Sequence, residues 1–364
     1  MDSSLLLHNI ISLLFIFFTI NYSQSQTPVA KPKPSALFVF GDSTVDAGNN
    51  NFIRTPMKSN FPPYGRDFIN HIPTGRFSNG RLVPDFVASY VGVKDSVPAY
   101  LDPTLRIDDL MTGVSFASAG SGFDPLTPTL SGAISLEQQM KYFREYKSKM
   151  DMLIGKERTV DIIKRAAFML SAGTNDFIVN YYALGEPVSQ VLYPNVSSYQ
   201  NLLFENIDQF LKELMNEGAR KIAMVGLPPM GCLPEVITLN RNAAMNGREC
   251  VATMLSVAKD YNVILQNKLK AMQTSETKFY YADIYTPLLD MIQFGKSKLG
   301  FEEVSTGCCG TGYIEASILC NMNSAICDDA SKYVFWDAVH PTEKAYYYVF
   351  TTIRPVVDIV LNDY

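Results

Sequence analysis

Four short apolar runs, at 36–40, 166–171, 221–225 and 278–282, stand far apart in the chain, and stretches of helical periodicity fill the gaps between them. Leu203, Ile207, Phe210 and Leu214 recur at helical spacing and are followed by Gly218, a stop signal. Val251, Leu255, Ala258, Tyr261, Leu265 and Leu269 mark a second long helix before the fourth run. Strands that are apolar on both faces and separated by helices belong to parallel sheets covered on both sides. The expected architecture is therefore α/β, a three-layer α/β/α sandwich with a mostly parallel central sheet. The segments 56–81 and 300–329 lack clear periodicity and read as ordered loops.

Within 364 residues there is no internal linker, repeat or low-complexity tract, so 36–364 reads as one domain. An apolar share of 47% against 18% charged residues fits a packed globule rather than a disordered chain. The net charge of −5, from 36 acidic and 31 basic side chains, gives a nucleic-acid partner no support. Residues 1–25 read as a secretory signal, with a largely apolar 5–20 and the small residues of Ser23-Gln24-Ser25 for cleavage. Its rival, a retained membrane anchor, would need a run of ~20 apolar residues. Pro28, Pro32 and Pro34 make 26–35 an extended leader.

All six cysteines fall between Cys232 and Cys327, an even set in a chain bound for an oxidising compartment. The expectation is three disulfides, with Cys232 joined to Cys250, and Cys308 and Cys309 joined to Cys320 and Cys327 in either order. Zinc is the weaker reading of this cluster because no second histidine lies near it. Asn195-Val196-Ser197 is an N-glycosylation sequon in a polar segment before a helix.

The first apolar run ends in Phe40-Gly41-Asp42-Ser43, the second is followed by Gly173-Thr174-Asn175-Asp176, and Asp337-Ala338-Val339-His340 lies near the C-terminus. Together these resemble the blocks of the GDSL, or SGNH, esterase/lipase family. The stretch from Ser43 through Asn51, and Pro73-Thr74-Gly75-Arg76-Phe77-Ser78-Asn79-Gly80-Arg81, are similar to its plant branch. The resemblance implies a flavodoxin-like SGNH-hydrolase fold, a secreted enzyme of the cell wall or apoplast, and cleavage of carboxylic esters without a cofactor. Its partner would be a small-molecule, lipid or polymer ester. It implies Asn175, Gly120 and Ser43 as oxyanion donors. Acyl chain, alcohol and oligomeric state stay open.

The residues themselves point the same way. A serine hydroxyl needs a base, and histidine is the usual one. Beyond the signal only His71 and His340 remain, and Asp337 stands three residues before His340, within reach of its ring. Ser43 and Asn175 each follow a strand, and in an open parallel sheet the crevice lies beyond the carboxyl ends of the strands. Gly120 sits in Ser118-Ala119-Gly120-Ser121-Gly122, where Gly122 is the alternative donor. Asp42, Asp46, Asn49 and Asp176 read as turn holders, Trp336 as packing and His71 as a loop residue. Gly113-Val114-Ser115-Phe116-Ala117 is a rival nucleophile elbow that lacks the final glycine. A catalytically silent binding protein on the same fold is the reading from a different class.

Overall fold

The computed structural model describes residues 33–183 and 191–364. The signal segment and most of the leader lie outside these residues. Four parallel strands, β1 (Leu37–Gly41), β2 (Ala167–Ser171), β3 (Lys221–Val225) and β4 (Lys278–Ala282), pair in that spatial order. Each falls within one residue of its predicted run. An extended segment, 112–118, runs beside the free edge of β1: Val39 N–H donates to Val114 C=O, and Phe116 N–H donates to Val39 C=O. With this segment counted, the sheet has the flavodoxin-like order 2-1-3-4-5, whose switch point lies between β1 and β2.

The longer helices are α1 (Val83–Tyr90), α2 (Leu136–Ile154), α3 (Lys156–Lys164), α4 (Val196–Asn216), α5 (Ala252–Ala271), α6 (Tyr285–Phe294) and α7 (Glu343–Asn362). Alternation along β1 divides them between two faces. Phe38 and Phe40 meet Phe143 of α2, and Phe40 also meets Phe210 of α4, with ring centroids 5.4–5.7 Å apart. Leu37, with Met169 of β2, faces the other layer, toward Val87 of α1 and Ile353 of α7. Both faces of the sheet are thus covered, which explains why its strands are apolar without alternation.

The stretch 300–329 is not loop throughout. It contains β5 (Glu303–Gly307), which pairs in parallel with β6 (Tyr333–Phe335). Glu303-Val304-Ser305-Thr306-Gly307 carries little apolar signal, and the strand exists because β6 supplies a partner. Two disulfides close this stretch, Cys308–Cys327 and Cys309–Cys320, which resolves the open pairing, and a third joins Cys232 to Cys250. With every cysteine bonded, zinc has no thiolates to bind. No helix among the described residues is long and apolar enough to cross a membrane.

Candidate active site

The turn after β1 is possible because residue 41 is glycine. Its φ is +136°, and a Cβ there would stand 1.8 Å from the Ser171 carbonyl oxygen. Buried Gln139 of α2 clamps the same residue on both sides: its Oε1 accepts from Gly41 N–H, and its amide donates to Gly41 C=O, both at 2.9 Å. Asp42 Oδ1 then accepts the N–H and hydroxyl of Thr44, which closes the turn and leaves Ser43 at the sheet edge. Burial pushes the Asp42 carboxyl up to about 6, against the pull of the Thr44 bonds.

His340 arrives from the opposite end of the chain, between β6 and α7. Its Nε2 lies 2.8 Å from Ser43 Oγ, and its Nδ1 lies 2.8 Å from Asp337 Oδ2. A carboxylate beside Nδ1 fixes the tautomer that leaves Nε2 as the acceptor for a serine hydroxyl. Asp337 Oδ1 also accepts the N–H groups of Val339 and His340, so the three-residue spacing closes a turn and orients a ring at once. The surroundings are nearly dry: Asp337 is 0%, His340 5% and Ser43 7% exposed. Phe77 packs against the imidazole at 4.8 Å, while Trp336, fully buried, bonds through its backbone N–H to the His340 carbonyl.

Asn175 follows β2 and is 8% exposed. Its amide donates one N–H to Ser121 C=O at 2.9 Å, which leaves the second without a partner among the described residues. Among the described residues, the backbone N–H groups of Ser43 and Gly120 have no hydrogen-bond acceptor. Gly120, at φ +88°, lines a groove together with Ser43, Asn175 and His340. Gly122 does not line it and is pressed against Asp176, whose Oδ1 a Cβ would meet at 2.3 Å. The groove is edged by Met57, Ile178, Ile314, Ile318 and Leu319, and by half-buried Glu235. Burial and the nearby Asp337 charge raise the Glu235 carboxyl. Beneath Ser43 a narrow crevice descends between the sheet and α6 and α7, walled by Met169, Val225, Leu288, Phe335, Val349 and Ile353.

The other sequence candidates separate cleanly. Ser115 lies in the extended segment beside β1, fully buried, with its hydroxyl donated to the Val45 carbonyl at 3.0 Å. His71 is exposed at the end of a single 3-10 turn, Ile69–His71. Asp46 holds its own turn through Gly48 and Asn49 N–H but also accepts Ala119 N–H. Asn49 reaches the Ser115 and Ala117 carbonyls, and Asp176 accepts Phe123 and Asp124 N–H, so these two brace distant segments rather than local turns. Asn195 is exposed and caps α4, its Oδ1 accepting Ser198 N–H. Gln139, Glu235 and Tyr64, which donates to Asp337, carry no sequence signal because their partners lie about a hundred residues away or more.

Comparison with known proteins places the chain in one family. The profile described as GDSL-like Lipase/Acylhydrolase matches residues 37–353. GDSL esterase/lipase At5g45960 of Arabidopsis thaliana is 50% identical over 93% of this chain and 90% of its own length. GDSL esterase/lipase At2g40250 of the same plant is 45% identical over 92% of this chain and 94% of its own. GDSL esterase/lipase At1g06990, also from that plant, is 42% identical over 90% of each. A fold, a sheet-edge site and a match of this extent make the chain a carboxylic ester hydrolase that belongs to the GDSL esterase/lipase family.

Proposed function

We propose that this enzyme cleaves esters through an acyl-enzyme on Ser43, with His340 as general base and acid and Asp337 as its orienting carboxylate. The observation that carries the reading is the unbroken chain of contacts from Ser43 Oγ through both ring nitrogens of His340 to Asp337. Ser43 Oγ bonds to the ester carbonyl carbon while its proton passes to His340 Nε2. The tetrahedral oxyanion is met by the backbone N–H groups of Ser43 and Gly120 and by the second amide N–H of Asn175. Collapse expels the alcohol, which takes the proton from Nε2. Water then repeats the sequence on the acyl-enzyme and releases the acid. The scheme draws only on protein groups and water.

The apolar crevice beneath Ser43 favours an ester with an alkyl arm. Three disulfides, the sequon at exposed Asn195 and the apolar 5–20 segment support secretion, with a glycan on Asn195 and the cell wall or apoplast as the destination.

A fluorophosphonate probe tests the reading, because only an activated serine reacts with it. Mapping of the labelled peptide should place the adduct on Ser43, and folded Ser43→Ala should neither label nor turn over esters. Ser115→Ala should label normally. An unlabelled parent protein would favour the silent binding fold, and an adduct on Ser115 would move the chemistry to the elbow.

A further inference from the structure

The geometry points to Tyr64 as a positioning residue of this site, one that sets, through Asp337, how strongly the His340 imidazolium is held and therefore where the acid limb of turnover falls. The inference rests on His340 acting as the base.

Tyr64 lies in the segment 56–81 and is 1% exposed, packed edge-on against Phe61, Phe77 and Trp336. Its hydroxyl is 2.7 Å from Asp337 Oδ2, the oxygen that also faces His340 Nδ1. The direction of this bond is fixed by a second one. Ser317 N–H donates to the same phenol oxygen at 2.8 Å, so the hydroxyl acts there as acceptor and its one proton is left for Asp337. Ser317 is itself tied down, since its Oγ accepts Lys58 N–H at 2.9 Å and lies 2.9 Å from the Pro56 carbonyl oxygen. Burial and the adjacent carboxylate push the phenol well above its ordinary range, which keeps it a donor.

Asp337 therefore divides its negative charge between an imidazole and a phenol. A donor that neutralises part of a carboxylate weakens the attraction left for the imidazolium. The other charged or titratable groups facing the pair act differently. Asp42, from the turn after β1, and Glu235, from the short helix Pro234–Leu239, act on His340 through space. Tyr346 of α7 stands near Asp337 and Asp42, but its hydroxyl has no hydrogen-bond partner among the described residues. Arg66 lies over the Trp336 ring, 5.8 Å from its centroid. Among the described side chains, only Tyr64 donates to Asp337 besides His340 itself.

Removing the phenol hydroxyl should return that charge to the imidazolium. In Tyr64→Phe the acid limb of kcat/KM should move to higher pH by roughly one unit, a tenfold loss of rate at fixed pH on the limb. The plateau, normalised to fluorophosphonate titre, should fall less than about threefold. Placing 3-fluorotyrosine at position 64 keeps the packing and makes the phenol a stronger donor, so the limb should move to lower pH. A merely structural role would depress the plateau and leave the limb in place, and a parental limb in folded Tyr64→Phe overturns the inference. If Tyr64→Phe does not fold, the fluorotyrosine protein decides alone, and an unmoved limb there is equally fatal. His340→Ala separates the two readings: turnover with the parental limb would remove the base itself, whereas a dead His340→Ala beside an unmoved Tyr64→Phe limb sinks only the role of Tyr64.

Discussion

His340 and Asn175 border the same groove, yet their losses should differ in kind. Among the described side chains only the His340 imidazole bonds Ser43 Oγ, so under the proposed mechanism His340→Ala should lower kcat severely and abolish the rise in rate as a base deprotonates. Asn175→Ala should keep that pH dependence and lower kcat by roughly 10²–10³, the scale of one lost oxyanion donor. KM should change little, because the donor addresses charge that develops only in the transition state. Near-parental kcat in folded Asn175→Ala would leave the Ser121 bond as the role of that amide.

The turn joining β1 to the site stores a cost that pH can reveal. Asp42, 2% exposed, has its carboxyl pushed up to about 6 by burial, while an unfolded aspartate ionises near ~3.9. Below both values each state is protonated and the cost is absent. As pH rises from about 4 to 6 the unfolded chain ionises first, the native state binds more protons, and stability falls. Asp42→Asn keeps an oxygen for both Thr44 bonds and removes the ionisation. Relative to the parent, the variant should therefore gain roughly 2–3 kcal/mol between pH 4 and pH 7, read from urea unfolding at each pH. A gap that does not change with pH would show that the carboxyl is not raised. The same element explains what a linear reading captures: a β-rich run ending in glycine predicts a strand and a turn, but Gln139, which holds that turn from α2, belongs to another periodicity altogether.

At the scale of the molecule, the groove is assembled from both ends of the chain, and the disulfides hold one of its walls. Each double variant, Cys232→Ser with Cys250→Ser and Cys309→Ser with Cys320→Ser, should lose roughly 2–3 kcal/mol of stability, because each closes a loop of 11–18 residues. The second should lower kcat per titrated site the more, since Ser317, which anchors the Tyr64 hydroxyl, and Ile314, Ile318 and Leu319 of the groove lie inside its loop, whereas the first loop brings only Glu235 to the groove edge. An equal loss of kcat in both would detach that loop from the site. Urea midpoints and fluorophosphonate-normalised turnover read the two effects separately.

Some of this was settled along the chain alone. The periodicities set the parallel sheet and its covering helices, the ends of two strands put Ser43 and Asn175 on one edge, and a spacing of three let Asp337 meet His340, since each of these depends on short-range geometry. The extended segment 112–118 beside β1, the place of Gly120 rather than Gly122 along the groove, the partners of Cys308 and Cys309 and the Tyr64–Asp337 bond were decided only by the folded chain. Those pairings join residues that a local pattern treats as independent: polar groups buried away from water must find partners in space, and sulfurs pair where the fold brings their Cβ atoms within reach.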